Sequence, residues 1–200
     1  MAQYYPKELI SLIASLMKLP GVGRKTAERF AFYLLDWPKD DIKRFSSQIE
    51  SLQEKVIPCA TCGCLKEENA CFFCESPSRD PSLLCLVSSP RDVYAIEETK
   101  AYKGHYHVIG GLLSPLEGRS IEQLSIHKLE KRFENSSIQE VIIAFDSTLE
   151  GDATALFLKQ KLSHIGVNAT RLAFGLPMGS SLDFVDYGTL EKAFTGRQKF

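Results

Sequence analysis

Two cysteine pairs, Cys59-x2-Cys62 and Cys71-x2-Cys74, stand eight residues apart and limit more than any other feature what this chain can fold into. Each pair can bend its thiolates back onto one point, and two such pairs complete the tetrahedral sulfur shell that zinc prefers. A knuckle this short has almost no apolar core, so metal supplies much of its folding energy and a larger protein must carry it. Such scaffolds often serve proteins that handle nucleic acid. The competing reading is disulfides among the six cysteines, but nothing else in the chain points to an oxidising compartment. The gap is shorter than the roughly 15–20 residues of the commonest four-cysteine spacing, and Cys64 lies close enough to compete as a ligand. The symmetric quartet Cys59, Cys62, Cys71 and Cys74 is the expected structural zinc site. Cys85, inside the apolar run Leu83-Leu84-Cys85-Leu86-Val87, reads as a buried small hydrophobe.

The remaining chain is long enough to matter: 200 residues at 44% hydrophobic content allow one sizeable core with small satellites. A net charge of −1 means that the chain as a whole is no electrostatic glove for nucleic acid. Binding to DNA must come from a local patch or from several copies acting together. The first eight residues hold no apolar signal core, and no stretch nears the ~20 apolar residues of a membrane span. A soluble, cytoplasmic protein with no membrane role is expected.

Pattern divides the chain into a helical N-terminus, residues 1–57, a zinc segment, 58–75, an α/β region, 82–175, and a tail, 176–200. Leu9, Ile10, Leu12, Ile13, Leu16 and Met17 recur at helical spacing, as do Ala27, Phe30, Ala31, Leu34 and Leu35. Ile42, Phe45, Ile49, Leu52 and Val56 form a narrow seam suited to another helix, and Pro58 ends it. Residues 76–82 read as a linker, rich in Ser and Pro. Strands are then expected over 83–87, 106–109, 141–145 and 169–174. Helices are expected between them through Ile96, around 127–133 and over 153–165. Short apolar runs alternating with helices predict a parallel sheet covered on both faces. The tail is rich in Gly and Pro and shows no clear element before Leu190.

Leu19-Pro20-Gly21-Val22-Gly23 joins the first two predicted helices. Gly21 and Gly23 let the backbone turn sharply and approach a partner closely, with Val22 at the tip. The second helix then starts near Arg24 with its first amides free, a ready anion site. Lys25 and Arg29 are one turn apart on one face, flanked by Arg24 and Lys18. This is the pattern of a helix-hairpin-helix, which grips a phosphate backbone without reading bases. An ordinary αα-hairpin with solvated basic residues is the plainer reading. Residues 1–57 carry nine Lys/Arg against seven Asp/Glu, so one copy should bind weakly.

A second motif falls at the carboxyl end of a predicted strand, where open α/β sheets place their sites. The run Val141-Ile142-Ile143-Ala144-Phe145 enters Asp146-Ser147-Thr148-Leu149-Glu150-Gly151-Asp152-Ala153-Thr154. Glu150 and Asp152 flank a glycine before a helix and could form a weak Mg²⁺ platform. They could equally be first-turn carboxylates that satisfy amides and suit the helix dipole. Ser89-Pro90-Arg91-Asp92 is more plainly a cap, with Ser89 as N-cap and Pro90 at the first helical position. His105 and His107 would share one face of a strand, but no carboxylate or cysteine lies nearby in sequence to complete a metal site. His127 and His164 fall in helical segments and read as surface or packing residues.

Taken in order, the Leu-Pro-Gly-Val-Gly hairpin, the four-cysteine knuckle, Ser89-Pro90-x-Asp92 and Glu150-Gly151-Asp152-Ala153-Thr154 resemble the bacterial RecR family of recombination mediators. The resemblance extends through Gly110-Gly111-Leu112-Leu113-Ser114-Pro115 and Gly175-Leu176-Pro177-Met178-Gly179 to Thr195-Gly196-Arg197, nearly the whole chain. It implies that the sheet is a Toprim domain, the fold shared with topoisomerases and primases. It further implies a non-enzymatic protein that joins RecO and RecF to help RecA replace single-strand-binding protein on gapped DNA or at single-strand/double-strand junctions. It implies a ring-like or clamp-like homo-oligomer built through the hairpins and the tail, with Lys25 and Arg29 at the DNA-binding positions. Glu150 and Asp152 become candidates for docking a basic partner.

Two departures from the family pattern bear on function. The first Toprim strand commonly ends Val-Glu-Ser-Pro, whereas here Val87-Ser88-Ser89-Pro90 puts Ser88 in place of the glutamate that catalytic relatives use. Ser180 also stands where the tail usually has a second glycine. The alternative function, a Mg²⁺-dependent Toprim nuclease or topoisomerase-like enzyme, needs that missing carboxylate.

Overall fold

The computed structural model describes residues 4–67, 70–134 and 137–197, and divides into two compact units between residues 55 and 56. The last three residues of the expected tail therefore lie outside the described residues.

The first unit holds α1 (Lys7–Leu16), α2 (Arg24–Leu35) and α3 (Lys39–Lys55). Leu9 and Ile13 of α1, one turn apart, meet Ala27 and Ala31 of α2, and both alanines are fully buried. Small side chains there let the two helix backbones close on each other. Val22 does not stand out at the turn as expected but packs against this small core. On α3, Phe45, Ile49 and Leu52 are exposed, so the apolar seam is present and uncovered.

The second unit begins with the knuckle, where β1 (Ile57–Pro58) pairs antiparallel with β2 (Leu65–Lys66) ahead of the short α4 (Phe72–Glu75). There follow β3 (Asp80–Val87), α5 (Pro90–Glu98), β4 (Gly104–Val108), α6 (Ile126–Glu134), β5 (Glu140–Ala144), α7 (Leu149–His164), β6 (Asn168–Arg171) and α8 (Tyr187–Thr195). The four strands β3 to β6 form one parallel sheet in the order β4-β3-β5-β6.

Strand ends shift by one to three residues from the sequence expectation, β6 most, ending at Arg171, and three other differences have a local reason. The Ser/Pro linker is shorter, because β3 starts at Asp80 and absorbs an irregularity between Asp80 and Leu84. Helix α7 starts four residues early, because the Thr148 hydroxyl accepts from the Gly151 amide and caps it. In the tail α8 starts at Tyr187, where the Asp186 carboxylate accepts from the Thr189 amide.

Alternation along the strands gives the sheet two apolar faces. Leu84, Leu86, Val141 and Ile143 face α6 and α7, meeting Ile126, Leu129, Ala155, Leu158 and Leu162. Cys85, Val87, Tyr106 and Val108 face the other way, toward Val93 of α5, Phe73 and the knuckle cysteines. The knuckle is thus part of the cover of one sheet face. It approaches so closely that the Val108 amide donates to the Cys62 carbonyl at 2.7 Å. Gly63 has φ +75°, and a Cβ there would meet Val108 Cβ and carbonyl O at 3.0 Å, so only glycine fits this contact.

Candidate functional site

Four sulfur atoms converge in the knuckle. Sγ of Cys59, Cys62, Cys71 and Cys74 all lie within 4.8 Å of one another. Cys59 Sγ lies 3.6 Å from Cys74 Sγ, and Cys62 Sγ lies 3.5 Å from Cys71 Sγ. A tetrahedron with Zn–S bonds of about 2.3 Å has edges of about 3.8 Å, so this donor set suits a zinc ion. All six cysteines are free thiols. Cys64 is buried but lies outside the quartet, its carbonyl taking the Cys59 amide at 2.7 Å. Burial pushes the Cys59 thiol up, yet the Cys62 and Thr61 amides outweigh it and bring the group down to about 7. Burial, with repulsion from Cys62, pushes Cys71 up to about 11. Without a cation the four thiols cannot all ionise, which is the situation that a divalent metal relieves. Four thiolates would leave no position for a reactive water, so a metal held by this quartet would be structural. Cys85 is buried in the sheet, its thiol pushed up to about 12 by that burial, and it behaves as the small hydrophobe expected.

The hairpin presents a different chemistry. Gly21 adopts φ +77°, and a Cβ at Gly21 or Gly23 would meet nothing within 4 Å. The turn is therefore open around both glycines. Gly23 precedes α2 without any side-chain cap, so its first amides are not met by a side chain of the helix start. Lys25 and Arg29 are exposed on one face of α2. Arg24 is less available, because its Nε donates to Glu28 at 3.1 Å.

Strand order places a third site. The chain leaves β3 toward one edge and β5 toward the other, so the β3 and β5 ends flank the topological switch point. At the β3 end the Ser88 hydroxyl donates to Asp92 Oδ2 at 2.8 Å, and the Ser89 amide donates to the same oxygen at 2.8 Å. The predicted cap is a full capping box, and Ser88 is tied into it. At the β5 end Glu150 and Asp152 both lie inside the first turn of α7. Residues two apart on a helix do not face each other, so the pair does not converge on one cation. Asp152 Oδ1 accepts from Arg171 at 2.5 Å, and its Oδ2 accepts from Lys192 at 3.3 Å. These cations, Arg171 first, hold the Asp152 carboxyl below the usual carboxylate range. A divalent ion would have to displace both, so the expected Mg²⁺ platform does not fit this arrangement. Among the described residues, the cysteine quartet is the metal-capable cluster of three or more ligands.

Gly151 explains why the motif needs a glycine. A Cβ there would fall 2.0 Å from the Asp146 carbonyl O, so the helix start is pressed against the strand end. Thr154, fully buried, donates to the Glu150 carbonyl at 2.6 Å and accepts from the Leu113 amide at 2.9 Å, pinning the 110–115 loop to α7. Sequence reasoning missed Arg171, Lys192 and Phe174 at this site. The expected strand over 169–174 put Phe174 at its end and Arg171 inside it, and nothing local marked Lys192. Among the described residues, His105 and His107 belong to no cluster of three or more possible metal ligands, and His107 is buried with Nε2 3.4 Å from the Ser125 carbonyl. His127 and His164 are exposed on their helices.

No helix among the described residues is long and apolar enough to cross a membrane. Comparison with known proteins agrees with this architecture. Family models described as "RecR, helix-hairpin-helix", "Toprim domain" and "RecR, C-terminal" match residues 9–52, 82–173 and 175–198. The chain is 55% identical over 196 residues to the recombination protein RecR of Protochlamydia amoebophila (strain UWE25), covering 98% of this chain and 99% of that protein. It is 48% identical over 198 residues to the RecR of Chlamydia abortus (strain DSM 27085 / S26/3), covering 98% of each. A helical hairpin unit, a zinc-type knuckle, a Toprim sheet and a short tail, matched over nearly the full length at such identity, place this chain in the RecR family of recombination proteins.

Proposed function

We propose that this protein is a non-enzymatic DNA-binding mediator of recombinational repair, organised as residues 1–57, 58–75, 82–175 and 176–200. In this reading it acts with RecO and RecF to help load RecA on gapped or single-stranded DNA in the cytoplasm. The observation that carries it is the open hairpin, with Lys25 and Arg29 exposed beside a helix start that no side chain caps. Phosphate binding there is independent of sequence. Arg24 contributes less, since Glu28 holds it.

The Toprim sheet in this reading is a docking surface, with Glu150 and Asp152 taking a basic partner such as RecO. Phosphodiester chemistry needs a metal held by carboxylates and a group to move a proton. Ser88 is a neutral hydroxyl committed to Asp92, and Asp152 is committed to two cations. Zinc in the quartet has a structural part, supported by the buried, converging thiols. The exposed seam on α3 and the exposed Phe184, Tyr187 and Phe194 of the tail support homo-oligomers built through both ends of the chain.

Incubation of purified protein with gapped duplex in Mg²⁺ or Mn²⁺ tests the reading. Binding without nicking, relaxation or nucleotide incorporation is expected. Metal-dependent cleavage that disappears in Asp152→Asn would overturn it.

A further inference from the structure

The tail helix α8 fully buries no residue among those described, and its Lys192 ties it to the switch point. Lys192 Nζ donates to Ser147 Oγ at 3.0 Å and to Asp152 Oδ2 at 3.3 Å, and lies 4.2 Å from the centre of the Phe174 ring. The Arg171 guanidinium lies 4.5 Å from the same ring while holding Asp152 Oδ1. Two cations therefore share one aromatic ring and one carboxylate. They differ in origin: Arg171 ends strand β6 of the sheet, whereas Lys192 arrives from beyond a connection whose one regular element is a single 3-10 turn, Leu182–Phe184. An element with little buried apolar contact sits at the low end of local stability. Its fastening is half-exposed, the Lys192 and Asp152 side chains being 36% and 40% accessible, so water and other cations can reach it.

We propose that Lys192 of the tail is a competitive latch on the Asp152 docking site. A lysine or arginine on a partner surface takes Asp152 Oδ2 by displacing Lys192, and α8 is released as the partner binds. Arg171 stays on Oδ1 throughout and keeps the carboxylate aimed. This rests on the reading of Asp152 as a docking carboxylate and adds its regulation. A site closed by its own chain binds with an affinity reduced by the fraction of time that it is open. An exposed ion pair with one cation–π contact is weak enough to be displaced and strong enough to be felt.

The test uses the full chain with a fluorescein-labelled octa-arginine peptide as probe, with peptide affinity and amide hydrogen exchange across α8 as readouts. Lys192→Ala should bind peptide roughly three- to tenfold more tightly than the native chain. Lys159→Ala, which removes the same charge from an exposed position farther along α7, should shift affinity far less. Peptide binding to the native chain should speed exchange in α8, and Asp152→Asn should speed it without peptide. If Asp152→Asn abolishes peptide binding but Lys192→Ala and Lys159→Ala behave alike, docking stands and the latch is wrong. If Asp152→Asn binds peptide as well as the native chain does, the docking reading fails and the latch with it.

Discussion

Arg79 lies in the segment that reads as a linker, yet it is among the most constrained side chains in the protein. Its side chain is 5% exposed, donating to Glu97 Oε2 at 2.6 Å and to the Gly104 carbonyl at 2.9 Å. Its guanidinium lies 5.1 Å from the Phe72 ring centre, 5.2 Å from Phe73 and 5.4 Å from Tyr106. Phe72 and Phe73 sit between Cys71 and Cys74 of the quartet, so this one cation joins the knuckle to the sheet. Breaking a buried ion pair costs about 3–5 kcal/mol when the abandoned charge stays buried. Glu97 is partly solvated at 27% exposure and keeps the Tyr106 hydroxyl at 2.6 Å, which favours the low end. Loss of the cation–π contacts, up to about 2 kcal/mol when desolvated, restores part of the difference. Arg79→Met, which keeps most of the apolar stem, should therefore lose about 3–4 kcal/mol in chemical denaturation of the zinc-loaded protein. A chelating dye should also strip zinc faster from the variant. A cycle with Glu97→Gln isolates the pair. A loss under about 1 kcal/mol for Arg79→Met, or coupling to Glu97 below about 0.5 kcal/mol, would refute the clamp.

Other outcomes follow from the same geometry. Lys25→Glu with Arg29→Glu should weaken binding to all DNA sequences about equally and lower the salt slope by about 2, measured by fluorescence anisotropy across a salt series. Native binding should also rise with protein concentration more steeply than a one-to-one isotherm, through multivalency. Cys59→Ser or Cys74→Ser should reduce bound zinc from about one per chain toward none and speed hydrogen exchange over residues 58–75, with DNA affinity affected only indirectly. The His107 imidazole is pushed down to about 4, first by burial and then by Arg132. Its folded value lies below its unfolded one, so stability is complete above about pH 6.5 and falls toward pH 4, by about 3 kcal/mol in total. His107→Leu should lose that part of the pH dependence in denaturation curves at pH 7.5 and 4.5.

Much of this was legible in the residues because the relevant chemistry is local. Two cysteine pairs carry their own geometry, and the turn at Gly21 and Gly23 and the cap at Ser89 and Asp92 are each complete within a few positions. The parallel sheet was legible because buried strands read as continuous apolar runs. The contacts that determine how those pieces are joined were not legible. Arg79 meets Glu97 and Gly104 across 18 and 25 residues, and Lys192 meets Asp152 across 40. The orientation of Val22 escaped, and the choice between the two readings of Glu150 and Asp152 stayed open, since each depends on where a helix begins or packs. Thr148 decides the second: by starting α7 at Leu149 it turns a loop motif into a helical turn.

The same division bears on what a metal in the cysteine quartet would contribute. A parallel sheet must be covered on both faces, and here α6 and α7 cover one of them. The other face has only the nine-residue α5, whose buried contribution is Val93. The knuckle fills the remainder: Phe73 lies edge-on to Tyr106 at 5.7 Å, and the cysteines themselves pack with Val87 and Val108. Such a cover has few apolar groups of its own, so a metal bound in the quartet and burial of the sheet would support each other. The Gly63 approach and the Arg79 clamp are the two places where that dependence is fastened. A zinc ion in the quartet would therefore serve the integrity of the sheet, and through it the switch-point residues at the strand ends. In the proposed reading, contact with DNA belongs to the helical unit of residues 1–57.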